Sequence, residues 1–79
     1  MIRVLFFGPV AEKIGSGQLE IDFQPGLRLQ DLRTRLQTEY PEAFALVSIV
    51  AIDGNQVRDL DIELADQSEI VFMSKFSGG

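Results

Sequence analysis

The spacing of apolar and polar residues changes several times along the chain, and each change predicts an element. Ile2-Arg3-Val4-Leu5-Phe6-Phe7 is rich in β-branched and aromatic residues and stops at Gly8-Pro9, as a strand does. Pro9 to Ile14 predicts a short helix, with proline at its start and Gly15 as its stop. After the turn Gly15-Ser16-Gly17, the stretch Gln18-Leu19-Glu20-Ile21-Asp22-Phe23 alternates polar and apolar without a break, the pattern of a half-buried strand. Pro25-Gly26 marks the next turn. From Leu29 the period becomes 3.6: Leu29, Leu32, Leu36 and Tyr40 fall on one helical face, and Asp31 and Arg35 are spaced as an i,i+4 ion pair. Pro41 ends this helix, because the residue before a proline is pushed out of the α region. Arg28 stands where a Ser, Thr, Asp or Asn cap is expected, at a cost of about 1 kcal/mol.

Glu42 to Val47 fits a loop or a helical turn equally. Ser48 to Ile52 is an apolar strand leading into Asp53-Gly54, a hairpin-type turn, with Gln56-Val57 on the return. Asp59 to Leu64 alternates acidic and apolar residues, and Glu69 to Phe76 is the final strand. The order is therefore ββαβββ, an α+β arrangement of two layers with a mixed sheet of four to five strands packed on one main helix. If the first and last strands lie side by side, the fold is a β-grasp. Residues 1–79 are read as a single domain, with 77–79 as a flexible C-terminal tail.

Composition narrows the chemistry. Of 79 residues, 46% are hydrophobic, which suits a soluble globule, and no apolar run approaches the ~20 residues of a membrane span. Met1-Ile2-Arg3-Val4 runs straight into a strand pattern without signal-peptide anatomy, so the expected location is cytoplasmic and no membrane is engaged. Cysteine and histidine are both absent, which removes thiol chemistry, Cys/His zinc ligation and the usual general base at neutral pH. The formal charge of −5 argues against nucleic acid and favours a basic protein partner.

Individual candidates for chemistry are weak. Asp53-Gly54-Asn55 has glycine in the wrong place for a calcium loop, and no metal site is expected. Asp59, Asp61 and Glu63 share one face, best read as solvated. Gly15-Ser16-Gly17 does not join a strand to a helix, as a phosphate cradle would. Tyr40 continues the leucine stripe and reads as core. Lys13 and Lys75 are possible attachment points, like any exposed lysine.

Two features remain. The first is the glycine pair Gly78-Gly79, which arises by chance at a chain end roughly once in 200 chains. Without a Cβ, such a tail threads channels closed to other residues. Three residues past Phe76 span at most ~10 Å. The second feature is the outer face of the sheet. One phase of the first strand is Arg3, Leu5, Phe7, and one phase of the last is Val71, Met73, Lys75. The charges Arg3 and Lys75 mark this phase as solvent-facing, so Leu5, Phe7, Val71 and Met73 are expected to form an exposed apolar patch at the root of the tail.

Taken together, Ile2 to Ala11, Val50-Ala51-Ile52-Asp53-Gly54, Leu64 to Phe72 and Ser77-Gly78-Gly79 resemble the ubiquitin-like sulfur carriers of the MoaD/ThiS type, most closely the small subunit of molybdopterin synthase. Such small subunits often carry two prolines before their last four residues, where this chain has Ser74, Lys75 and Phe76. The resemblance implies a β-grasp fold and a reactive Gly79, which a ubiquitin-activating-type enzyme converts to a glycyl adenylate and then to a thiocarboxylate (1-thioglycine). Ser77 and Gly78 would form the tail, and Leu5, Phe7, Val71, Met73, Lys75 and Phe76 would meet partners. It further implies a non-catalytic subunit of a sulfur transferase that binds no cofactor itself, with ATP consumed by the activating enzyme. The implied partners are that enzyme, a sulfur donor protein and the large synthase subunit, in a heterotetramer. Thiamin, cysteine or tRNA thiolation, protein modification through Gly79, and an adaptor with an inert tail stand as alternatives.

Overall fold

A computed structural model describes residues 1–75. Five strands form one mixed sheet: β1 (Ile2–Phe6), β2 (Gln18–Ile21), β3 (Ile49–Ile52), β4 (Asn55–Val57) and β5 (Glu69–Met73), in the spatial order β2-β1-β5-β3-β4. The first and last strands run parallel at the centre of the sheet, with Val4 opposite Ile70 and Phe6 opposite Phe72. The other pairings are antiparallel. Three helices cover one face: α1 (Gly8–Ile14), α2 (Leu29–Glu39) and α3 (Pro41–Phe44). This is the α+β β-grasp expected from the element order, with α2 as the main helix.

Period-2 alternation assigns the two faces. Ile2, Val4 and Phe6 of β1 and Ile70 and Phe72 of β5 point at the helices and are almost completely buried. Leu29, Leu32 and Leu36 supply the facing stripe of α2, and Tyr40 packs half-buried at its end. Phe6, Phe44 and Phe72 meet as an aromatic triplet, with Phe44 and Phe72 centroids 5.0 Å apart at 63°. Such geometry adds about 0.5–1.5 kcal/mol per pair beyond burial. The triplet lies beneath the end of β5 from which the chain leaves the sheet.

The turns follow the residues that make them. Gly15 closes α1 at φ 84°, its N–H donating to the Ala11 carbonyl. Asp53 and Gly54 join β3 to β4 with φ values of 50° and 85°, the two positive angles of a tight hairpin turn. Asp53 also hooks this hairpin to β5: its N–H donates to the Glu69 carbonyl and its carboxylate accepts the Glu69 N–H, both at 2.9 Å.

Several expectations are corrected. The segment 59–64, which alternates acidic and apolar residues, lies outside the sheet, and its backbone bonds the start of α2 and the residues before it. The Leu29 and Gln30 N–H groups donate to the carbonyls of Ile62 and Leu60 at 2.9 and 2.8 Å, and Leu64 N–H donates to the Leu27 carbonyl. These bonds meet donors that a helix start otherwise leaves open, so α2 does not depend on a side-chain cap at Arg28. Asp31 does not pair with Arg35. Its carboxylate accepts the Arg28 backbone N–H at 3.0 Å, while Arg35 turns to Glu39 at 4.0 Å. Glu42 to Val47 resolves into the end of α3 and a short loop, Pro41 occupying the first helical turn. Strand β2 stops at Ile21, short of Phe23, and β5 stops at Met73, short of Phe76.

Candidate functional site

The outer face of the sheet is set by strand register. Leu5 lies between Gln18 and Val71, and Val71 between Leu5 and Ala51, so one row crosses four strands. Next to it, Ile49 opposes Met73. On the other side, Arg3 opposes Glu20 and Glu69, and its guanidinium bonds the Glu69 carboxylate at 3.0 Å. The face is therefore divided. A charged end lies where β5 begins, and an apolar end of Leu5, Ile49, Ala51, Val71 and Met73 lies where β5 leaves the sheet.

Exposure within the apolar end is uneven. Phe7 is 47% exposed, standing just past β1 as the extended N-cap residue of α1. Leu5 and Met73 are half-buried, and Lys75 is exposed. The expectation of an exposed Val71 is corrected: it keeps only 8% of its surface, because Leu5 and Ala51 flank it on neighbouring strands. Val71 thus forms the floor of the face, and Phe7 is its most prominent side chain.

Ile49 and Ala51 belong to this surface and were not foreseen. Ile49-Val50-Ala51-Ile52 carries no polar residue that would reveal which phase faces out. Only the antiparallel register with β5 decides it, and no local pattern encodes that register.

The root of the tail is clamped. The Ser48 N–H donates to the Met73 carbonyl at 3.0 Å, and the Ser48 hydroxyl accepts the Lys75 N–H at 2.8 Å. The β3–β5 ladder is thereby continued two residues past the end of β5, and Lys75 marks where the body holds the chain. The expected tail and root residues Phe76, Ser77, Gly78 and Gly79 lie outside the described residues.

Among the described residues no group of three or more Asp or Glu side chains is placed to hold a metal ion, and no helix is long and apolar enough to cross a membrane. The one perturbed carboxyl among the described residues is that of Asp66: the Met1 ammonium, bonded to it at 2.7 Å, holds it below its ordinary range.

Comparison with known proteins agrees with this geometry. The ThiS family model matches residues 4–79, and the chain belongs to the ThiS family. A search of curated proteins gave no significant match. Solved structures give closely similar folds. The small archaeal modifier protein 1 (SAMP1) of Methanosarcina acetivorans superposes with a TM-score of 0.77 at 22% identity, covering 99% of this chain and 95% of that one. Subunit 1 or 2 in the complex of the Helicobacter pylori molybdopterin-converting factor gives 0.72 at 25% identity, covering 99% and 97%. Urm1 of Trypanosoma brucei gives 0.76 at 23% identity, covering 99% and 94%. The family match and the fold together make the chain a member of the MoaD/ThiS-type ubiquitin-like sulfur carriers.

Proposed function

We propose that this protein is a sulfur carrier whose Gly79 α-carboxylate is the group that reacts, and whose outer sheet face is the grip that partners hold. The observation that carries the reading is the course of β5. This central strand leads from the apolar end of the face through the Ser48 clamp into the last four residues, and the family match runs to Gly79 itself.

The chemistry needs no side chain of this chain. A free carboxylate resists nucleophiles because it is negatively charged at neutral pH, its ordinary pKa lying near 3.5. Attack of a carboxylate oxygen on the α-phosphorus of ATP, in a partner's active site, expels pyrophosphate and leaves a glycyl adenylate. Hydrosulfide delivered by a sulfur donor protein then adds to the carbonyl carbon and expels AMP, leaving a terminal thiocarboxylate. ATP is the partner's substrate, and no cofactor is assigned to this chain.

Reach sets the division of labour. Four residues beyond Lys75 extend at most ~14 Å. A partner therefore has to seat the body directly against its active-site entrance. In this reading Phe7, Leu5, Met73 and Lys75, with Phe76 next along the chain, make that contact, and Ser77 and Gly78 pass the channel.

The acceptor we favour is the molybdopterin precursor, with this chain as the small subunit of a synthase. The match to the Helicobacter pylori complex of molybdopterin-converting factor subunits 1 and 2 supports a larger subunit as partner. The likeness to an archaeal modifier protein favours a second reading, in which Gly79 becomes an amide on a target lysine.

Intact mass separates the two. Co-expression with an adenylating enzyme and a sulfur donor is expected to add about 16 Da to the chain, one oxygen being replaced by sulfur. A chain that stays unmodified under those conditions, or that appears only as lysine-linked adducts, defeats the carrier reading.

A further inference from the structure

The turn between β3 and β4 carries a covalent chemistry that the docking face does not use. An aspartyl residue followed by glycine can cyclise, because the next residue has no Cβ to hinder ring closure on its nitrogen. Asp53 is the one Asp or Asn in the chain that precedes a glycine. Asp53 and Gly54 are both exposed, and no heavy atom lies within 4 Å of the place a Cβ on Gly54 would take. A ring forming there collides with no neighbouring side chain. The carboxylate that has to react is engaged elsewhere. It accepts the Glu69 N–H at 2.9 Å, and the Asp53 N–H donates to the Glu69 carbonyl at the same distance. These two bonds turn the carboxylate across the sheet toward β5. Cyclisation needs Cγ folded onto the Gly54 nitrogen instead. Asp53 also stands at φ 50°, a left-handed conformation that this tie helps to hold.

We infer that Asp53 is a site of backbone isomerisation, and that its tie to Glu69 is the latch that holds the reaction back. When the latch opens, the Gly54 nitrogen attacks Cγ of the Asp53 carboxyl in its acid form. A C–N bond forms, a C–O bond breaks, and the oxygen leaves as water with the carboxyl proton and the amide proton. The product is a succinimide ring spanning the two residues. Water then adds to one of its two carbonyls. Addition at the Asp53 α-carbonyl breaks the bond from that carbon to the Gly54 nitrogen, which regains its proton. The chain then runs on through Cγ, and the α-carboxylate is left free. Water leaves in the first step and returns in the second, so composition is unchanged and no other reactant is needed.

The consequence falls on the sheet. The isomer has one more backbone atom between β3 and β4, and a tight hairpin built on two positive φ angles has no slack for it. The Glu69 N–H loses the side-chain acceptor that fixed the start of β5. The β3–β5 ladder then opens from the end opposite Ser48. Strand β3 also carries Ile49 and Ala51 of the outer face, so damage at the turn reaches that face through the strand. None of this depends on the proposed function, and the test uses this protein alone.

The test is ageing of the full chain at neutral pH, folded in buffer and unfolded in guanidinium chloride. Isoaspartate is read by methylation with a protein isoaspartyl methyltransferase, and its position by peptide mapping. It is expected at Asp53 in both samples, forming roughly ten- to a hundredfold more slowly in the folded one, the scale of a hydrogen bond to a charged group. In the isomerised fraction, deuterium exchange of the Glu69 amide is expected to speed up. A second arm uses Asp53→Asn, whose side-chain oxygen can still accept the Glu69 N–H. Its passage through the same ring releases ammonia and adds about 1 Da, so intact mass follows it without mapping. The same folded-to-unfolded ratio is expected there; should that variant not fold, the comparison on the unsubstituted chain decides alone. Equal rates in the folded and unfolded chain overturn the latch. No isoaspartate at Asp53 in the unfolded chain overturns the site. Unchanged Glu69 exchange in the isomerised chain overturns the consequence drawn for β5.

Discussion

Phe7 carries two duties that a substitution can separate. It is 47% exposed at the head of the apolar face, and its backbone is the extended N-cap of α1, where no side-chain cap bond is made. Aspartate is among the preferred residues at an N-cap, since its carboxylate accepts the free N–H groups of the first turn. Phe7→Asp is therefore expected to leave thermal stability unchanged within the usual ±0.5 kcal/mol of surface substitutions, or to raise it slightly, while abolishing binding to the activating enzyme. Calorimetry and a binding isotherm on the same preparation check both halves. A large loss of stability would place Phe7 in the core, and undiminished binding would remove it from the grip. Asp66 offers a second test at this scale. The hydrogen bond from the Met1 ammonium is the main cause of its lowered pKa. A carboxyl depressed in the folded state favours folding at pH above its unfolded value, and this contribution is lost as pH falls through the folded value. The window is thus on the acid side of the ordinary value of 3.8. Acetylating the Met1 amine should return the Asp66 titration, followed by its carboxyl carbon shift, to the ordinary range. A titration that ignores acetylation would assign the shift to the Gln67 contacts instead.

At the scale of elements, helix α2 shows how a poor local signal is supported from outside. Its first two N–H groups are met by the carbonyls of Ile62 and Leu60, and Asp31 reaches back to the Arg28 N–H. Asp31→Ala is expected to cost about 1 kcal/mol, from the lost backbone bond and the lost negative charge in the first turn. Asp31→Asn keeps an acceptor and should cost less; urea unfolding midpoints compare the two, and equal losses would mean that charge alone matters. The same element explains what was readable beforehand. Strands β1 and β2, helix α2 and the Asp53-Gly54 hairpin are encoded locally, by alternation, by the leucine stripe and by a residue pair suited to positive φ. The segment 59–64 carries an equally clear alternation but spends its carbonyls on a helix far away in sequence, which no window of neighbouring residues records. The Asp31–Arg35 spacing was correct as geometry, yet a backbone donor three residues away outcompeted a flexible guanidinium. For the docking face, Leu5, Phe7 and Met73 were legible because Arg3 and Lys75 mark their phase. Ile49, Ala51 and the burial of Val71 depend on which strands lie side by side.

Across the whole molecule, the proposed function divides the body from the end of the chain, and Lys75 is the last residue the sheet is seen to hold. β5 is the central strand, held by β1 on one side and β3 on the other, and the Ser48 clamp fixes the chain through Lys75. The aromatic triplet of Phe6, Phe44 and Phe72 lies under that exit. A chain ending at Lys75 thus retains every contact described for the fold. It is expected to melt cooperatively, as calorimetry would show. It keeps Leu5, Phe7 and Met73, and so should still dock on the activating enzyme while offering it nothing to adenylate. Such a chain is expected to act as a competitive inhibitor of the full-length protein. Its inhibition constant should match the full chain's binding constant within a few-fold, less whatever Phe76 contributes to the grip. Steady-state adenylation at several concentrations of the truncated chain measures this directly, and the competition should weaken with salt if the acidic body is steered to a basic partner. If the truncated chain melts cooperatively and yet fails to compete, the outer face is not the grip. Recognition would then reside in the last four residues, and the apolar end of the sheet would need another occupant.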